Sequence, residues 1–176
     1  MWCRGSVVAG LATGFLAIAS TSAHAQKDLA SCKAVFDGAM KQITTPNHSY
    51  MTMTTGAQKP TTSESINTGS VRYIQIQGKW KRSPMTPKDE LARTQENIRN
   101  ATVYQCRKLR SESLSGVATT VYSVHAVTEG GTSDGQVWIA NGTGLPVRED
   151  IELGETGSRV VSRFDYASVR APAGVK

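Results

Sequence analysis

Beyond residue 100 the chain repeats one short-range pattern: a run of alternating polar and apolar residues, a glycine-rich turn, then another run. Strands are predicted over residues 103–109, 117–128, 136–141, 146–153 and 158–170, with turns at 129–135, 141–145 and 154–157. Runs joined this closely pair antiparallel, because a parallel return needs a crossover of a dozen or more residues. Upstream, residues 48–55, 61–68 and 70–80 read as strands of the same kind, with a turn at 57–60. Within 70–80, Ile74, Ile76 and Trp80 are expected to share one face. The pattern calls for a meander of eight or so strands.

Two segments break the alternation. Residues 26–45 place Leu29, Cys32, Val35, Phe36, Ala39, Met40 and Ile43 on one helical stripe, with Asp28 at the start and Pro46-Asn47 as the stop. Thr86-Pro87-Lys88-Asp89 supplies an N-cap threonine, a proline at the first helical position and an acid three residues after the cap. The helix it opens runs to about residue 99 and is thinly apolar, with Leu91, Gln95 and Ile98 on one side. It is expected to lie over an edge or opening of the sheet. The class is α+β: a curved antiparallel sheet with an N-terminal helix and one inserted helix.

The first 25 residues read as a secretory signal peptide. Arg4 is the only charge, residues 7–19 are uncharged and mostly apolar, and Ala23-His24-Ala25 is a small-x-small cleavage site. Cleavage after Ala25 leaves residues 26–176 as a single domain, exported and expected in a bacterial periplasm. The whole chain carries a formal charge of +6, and the mature domain about one unit less. This modest surplus suits solubility, an anionic membrane surface or an acidic partner; nucleic acid would call for denser basic clustering. A monomer is expected. Cys3 leaves with the tag, so Cys32 and Cys106 remain, and an even pair in an exported chain predicts one disulfide. Leu29-Ala30-Ser31-Cys32 also resembles a lipobox, which would lipidate Cys32, but Gln26, Lys27 and Asp28 separate it from the apolar run.

No constellation names a reaction. His48 and His125 have no metal-ligand neighbours at strand or helix spacing, no G-x-S-x-G motif is present, and the glycine pairs sit in turns instead of opening a helix. Glu149, Asp150 and Glu152 cluster on one strand. Alternation sends Asp150 and Glu152, with Arg148, to one face and Val147, Glu149, Ile151 and Leu153 to the other; a solvated sheet face accounts for the acids. Two basic clusters, Lys79-Trp80-Lys81-Arg82 and Arg107-Lys108-Leu109-Arg110, suit strand ends, and Lys79, Lys81 and Arg82 could rest on an anionic membrane. Asn47, Asn100 and Asn141 each begin an N-x-Ser/Thr sequon, relevant only to a eukaryotic secretory route. The chain is read as a non-enzyme without cofactor or metal.

Large apolar residues occupy alternating strand positions: Met51, Met53, Ile74, Ile76, Trp80, Tyr122, Val124 and Trp138. On one curved sheet they would share a face larger than two helices can cover. That face is either the core beneath the helices or an apolar groove for an acyl chain, with the helix from Thr86 as partial lid.

Three passages resemble the LolA-like superfamily of periplasmic lipoprotein carriers and lipid-binding lipoproteins. They are Gly78-Lys79-Trp80 followed by Thr86-Pro87; Val137-Trp138-Ile139 turning through Asn141-Gly142-Thr143-Gly144 into Leu145-Pro146-Val147-Arg148; and Phe164-Asp165-Tyr166 before Ala171-Pro172-Ala173-Gly174-Val175. The latch arginine of the carriers has no match here, Arg72 and Arg82 being out of pattern. The resemblance implies an unclosed β-barrel and a non-enzymatic protein that binds or carries a lipid, an acyl chain or an acylated protein. The alternative is an interaction or sensor domain on the same fold, its core dry.

Overall fold

The computed structural model describes residues 28–175. The signal peptide expected over 1–25, its cleavage site after Ala25, and Gln26 and Lys27 lie outside the described residues. Along the chain run α1 (Lys33–Thr44), β1 (Asn47–Thr55), β2 (Thr61–Asn67), β3 (Arg72–Ile76), β4 (Lys79–Arg82), α2 (Pro87–Asn100), β5 (Val103–Leu114), β6 (Val117–Thr128), β7 (Gly131–Ala140), β8 (Pro146–Leu153) and β9 (Ser158–Asp165).

The strands form one sheet in the order β4-β3-β2-β1-β9-β8-β7-β6-β5, every neighbour antiparallel. Two meanders, one from each end of the chain, meet where β1 pairs with β9 from His48↔Asp165 to Thr55↔Ser158. The edges β4 and β5 do not pair, so the barrel stays unclosed, and α2 is the segment that leads from one edge to the other. The α+β class with one N-terminal and one inserted helix is as expected from sequence.

Several expectations change: β5 runs on to Leu114 and β9 ends at Asp165, five residues past and five short of the predicted bounds. The alternation over 70–80 belongs to a hairpin and not to one strand: Gln77 and Gly78 both take positive φ, +51° and +75°, the conformation of a two-residue hairpin turn. The chain reverses there, and Trp80 ends opposite Gln75 instead of beside Ile76. β7 begins at Gly131, because the turn is only Glu129-Gly130. Finally, α1 starts at Lys33. Asp28 caps the turn before it, its Oδ1 accepting from the Ser31 N–H at 3.0 Å, while its own N–H donates to the Tyr104 carbonyl of β5 at 2.9 Å. That pairing holds the segment against the sheet and delays the helix.

α1 buries Val35, Phe36 and Ile43 on one face of the sheet, where Phe36 meets Tyr104 edge-on at 4.8 Å and joins Cys32, Cys106, Val137 and Ile139. Gly38 permits this approach: a Cβ there would lie 3.0 Å from Ile139 Cδ1 and 3.1 Å from the Gly144 carbonyl oxygen. The C-terminal carbonyls of α1 would be orphaned in the core, and two buried asparagines facing each other in the β1–β2 register satisfy them. Asn47 Nδ2 donates to Gln42 and Thr45, and Asn67 Nδ2 to Ile43 and Thr45, at 2.7–3.3 Å. Asn47, at 1 % exposure, is closed to glycosylation in the folded chain.

α2 has the expected capping box: the Asp89 N–H donates to Thr86 Oγ1 at 3.2 Å, and the Thr86 N–H donates to Asp89 Oδ2 at 3.1 Å. Only Pro87 is buried in it, as its thin apolar side foretells. It is held by an ion pair of Glu90 to Arg72 of β3 at 2.7 Å and by Ile98 against the core.

The predicted disulfide joins Cys32, just before α1, to Cys106 on edge strand β5, across 74 positions. Closing a loop of that length constrains the unfolded chain by about 4 kcal/mol. Replacing both cysteines with alanine is expected to lower the unfolding free energy by 2–5 kcal/mol, read from urea melts beside the oxidised parent. Coincident melts would show the bond to be dispensable.

Candidate functional site

Side chains alternate between the two faces of each strand, and directly paired residues share a face, so the register sorts every candidate. Tyr122 pairs with Val137, Val124 with Gly135 and with Cys106, and Val137 with Glu149. Glu149 pairs with Ser162 and Ser162 with Met51, while Met53 pairs with Val160, itself opposite Ile151. Ile74 pairs with Ser65, which pairs with Ser49 opposite Phe164, and Ile76 stands two residues on. All lie on the face that carries α1 and α2. Six of the eight expected groove residues therefore share it: Met51, Met53, Ile74, Ile76, Tyr122 and Val124.

The other two do not. Trp80 follows the Gln77-Gly78 reversal to the outer face, its ring 6.0 Å from His48. Trp138 is out of step with Val137 and also faces outward, yet it is only 6 % exposed. Its Nε1 donates to Glu112 Oε1, and the Arg148 guanidinium lies 4.9 Å from its ring centroid. Trp138 is a packing residue of the outer face.

The helices cover the inner face unevenly. α1 packs on β7 and β8, whereas Met51 (38 %), Met53 (37 %) and Ile76 (43 %) stay exposed on β1 and β3. The result is an open strip, or trough, over β3, β2, β1 and β9, in which Ser63 and Ser65 of β2 stand between the exposed apolar side chains of β3 and β1. Edge strand β4 borders it: Lys79 pairs with Ile76 and Lys81 with Ile74, and both lysines and Arg82 are exposed.

One charged side chain stands in the apolar row. Glu149, between Val147 and Ile151 on β8, is half-buried, and its carboxylate accepts no hydrogen bond and meets no cation among the described residues. Burial alone pushes it up to about 7. The phenols of Tyr104 and Tyr166 are raised by burial and, second, by Glu149, so both stay neutral; the Tyr166 hydroxyl donates to the Pro146 carbonyl at 2.6 Å. Alternation places Glu149 on the apolar face, opposite to Asp150 and Glu152. The signal that distinguishes it is the pair of flanking apolar residues at i−2 and i+2.

The outer face carries a polar cleft of about 1020 Å³ whose lining includes His125, Asp134, Gln136, Arg148, Asp150 and Arg159. Asp150 takes a bidentate pair from Arg159 (Nε and Nη2, 2.7 Å each) and a third contact from Arg148 at 2.9 Å. These hydrogen bonds, Arg159 first, hold it below the usual carboxylate range. His125 Nδ1 meets Asp134 at 2.7 Å, and His48 Nε2 meets Glu64 at 3.0 Å. Among the described residues no group of three His, Cys, Asp or Glu side chains could hold a metal ion. None of their helices is long and apolar enough to cross a membrane.

No family model and no curated protein matches the sequence. Solved structures do. Lipoprotein LppX of Mycobacterium tuberculosis is 11 % identical and superposes at a TM-score of 0.52, over 83 % of this chain and 100 % of its own. MucB is 11 % identical at a TM-score of 0.50, over 85 % of this chain and 63 % of that one. The Pseudomonas aeruginosa MucA/MucB complex gives 12 % and 0.51, over 81 % and 59 %. The likeness is one of fold. The unclosed sheet with its two helices, expected from the sequence, is the fold shared with LppX and MucB, and the chain spans about three-fifths of the MucB chains it matches.

Glu149 gives the fold a pH signature. Its folded pKa lies above that of an unfolded glutamate, so stability is fully present below about pH 4.5, declines as pH rises, and reaches its lower plateau above about pH 7. Glu149→Gln is expected to melt with the parent near pH 4.5 and above it near pH 8. Thermal melts at both values check this; superimposable curves near pH 8 would rule out a costly carboxylate at that position.

Proposed function

We propose that the protein is a non-enzymatic binder of an acyl chain, lying on the helix-bearing face along Ile76, Ile74, Met51 and Met53 and directed toward Tyr122 and Val124. The observation that carries this reading is the exposure of Met51, Met53 and Ile76 on the same face that elsewhere forms the core. Unbranched methionines adapt their shape to a flexible chain, and each methylene removed from water there contributes about 0.8 kcal/mol. α2 acts as a partial lid, tethered at Arg72–Glu90 and otherwise lightly packed. Lys79, Lys81 and Arg82 at the bordering edge suit an anionic membrane from which the chain is taken or to which it is given. The two histidines, each paired with a carboxylate, lie on the outer face, away from the trough. The signal-peptide pattern of residues 1–25 supports export to the periplasm.

A second reading, a protein-binding domain on the same fold, is favoured by the polar cleft of the outer face, and MucB has been solved in complex with MucA. Native mass spectrometry of the protein purified from a periplasmic extract separates the two. The parent is expected to carry an adduct of lipid mass that is lost on denaturation. Met51→Asp and Ile76→Asp, at positions exposed enough to tolerate the charge, are expected to lose it while keeping the disulfide mass. Adducts retained in both variants would exclude this trough, and an adduct-free parent would favour the protein-binding reading.

A further inference from the structure

The polar side chains of the inner face include one carboxylate without a partner among the described residues, Glu149, and it stands in a row that reaches the open strip. Reading across the register from β1 to β7, the row runs Met51, Ser162, Glu149, Val137. With strands about 4.8 Å apart, Glu149 stands roughly 10 Å from exposed Met51, with Ser162 between them. Ser162 is half-buried, and its hydroxyl makes no hydrogen bond among the described residues. The open part of the trough thus leads to a hydroxyl and then to a carboxylate, and neither finds a partner among the described residues.

Among the described residues, Tyr104, Tyr166, Val137 and Ser162 stand near Glu149, and none is hydrogen-bonded to it. β5 presents Tyr104, packed edge-on against Phe36, and the segment after β9 presents Tyr166, whose hydroxyl is already donated to Pro146. β7 presents Val137 and β9 presents Ser162. No cation of α1, α2 or the sheet offsets the burial. Glu149 has no partner among the described residues, whereas Asp150, one residue on, is matched by two arginines.

Resting on the acyl-chain reading, we infer that Glu149, with Ser162, is the polar terminus of the trough and selects an amphiphile whose head group donates hydrogen bonds, an amine above all. The tail lies back along Met51 toward Ile76, and the ammonium donates to the Glu149 carboxylate. The site thereby discriminates by head group as well as by chain.

Titration calorimetry with dodecylamine and the uncharged monododecanoylglycerol, both below their micellar concentrations, tests this. The parent is expected to prefer the amine by about tenfold near pH 8, the scale of one charge-assisted hydrogen bond, and Glu149→Gln to reduce the ratio to about one. A measurement without a variant runs alongside. In the parent the preference should grow from about pH 5.5 to about pH 8.5 as Glu149 gives up its proton, the amine staying protonated throughout. A preference that persists in Glu149→Gln, or that is flat with pH in the parent, overturns the inference and leaves the acyl-chain reading in place. A parent that binds neither probe overturns both.

Discussion

The pairing of β1 with β9 is the constraint on which the rest of the structure depends. Eight register pairs, from His48↔Asp165 to Thr55↔Ser158, join the first strand to the last in the middle of the sheet. Each meander therefore grows outward and finishes at an edge, β4 on one side and β5 on the other. Since β4 and β5 are consecutive in the chain, their connection has to travel from edge to edge, and the chain does so as α2. The opening of the barrel and the helix above it are two consequences of one long-range pairing.

Coverage of the inner face follows from the same geometry. α1 precedes β1 and is pinned at both ends, by Cys32–Cys106 at its start and by Asn47 and Asn67 at its carbonyl end. Those anchors hold it over β7 and β8, where Gly38 lets it sit against Ile139. α2 is polar on most of its surface and cannot bury the remainder. The apolar side chains of β1 and β3 are left open because the two helices are committed elsewhere. The lone carboxylate of Glu149 lies where the covered and open halves meet.

Much of this was legible in the sequence where the signal is local. The capping box of α2, the disulfide, the meander and the bounds of β6 and β8 all rest on nearby residues or simple counting. What failed required knowing how strands pair. Gln77-Gly78 is a hairpin turn inside a stretch that alternates smoothly, so Trp80 was placed with Ile76 when the chain had already reversed. The turn expected over 129–135 puts Trp138 on the same face as Tyr122. With Glu129-Gly130 alone as the turn, Tyr122 falls opposite Val137, and a shift of one residue moves Trp138 to the other face. Glu149 was assigned to the right face by parity, yet its burial depends on α1 and on Tyr104 and Tyr166, which are distant in sequence.

The segment before α1 has a further consequence. β5 is an edge strand of twelve residues, and a long open edge is a template for pairing with another chain. Asp28 donates its N–H to Tyr104, and Ser31 Oγ accepts from the Cys106 N–H, so this short segment occupies the first part of that edge. The disulfide keeps it there. At the opposite edge β4 is only four residues long and carries three cations. The cross-link thus fastens in place the segment that shields part of the open β5 edge, apart from its contribution to folding energy.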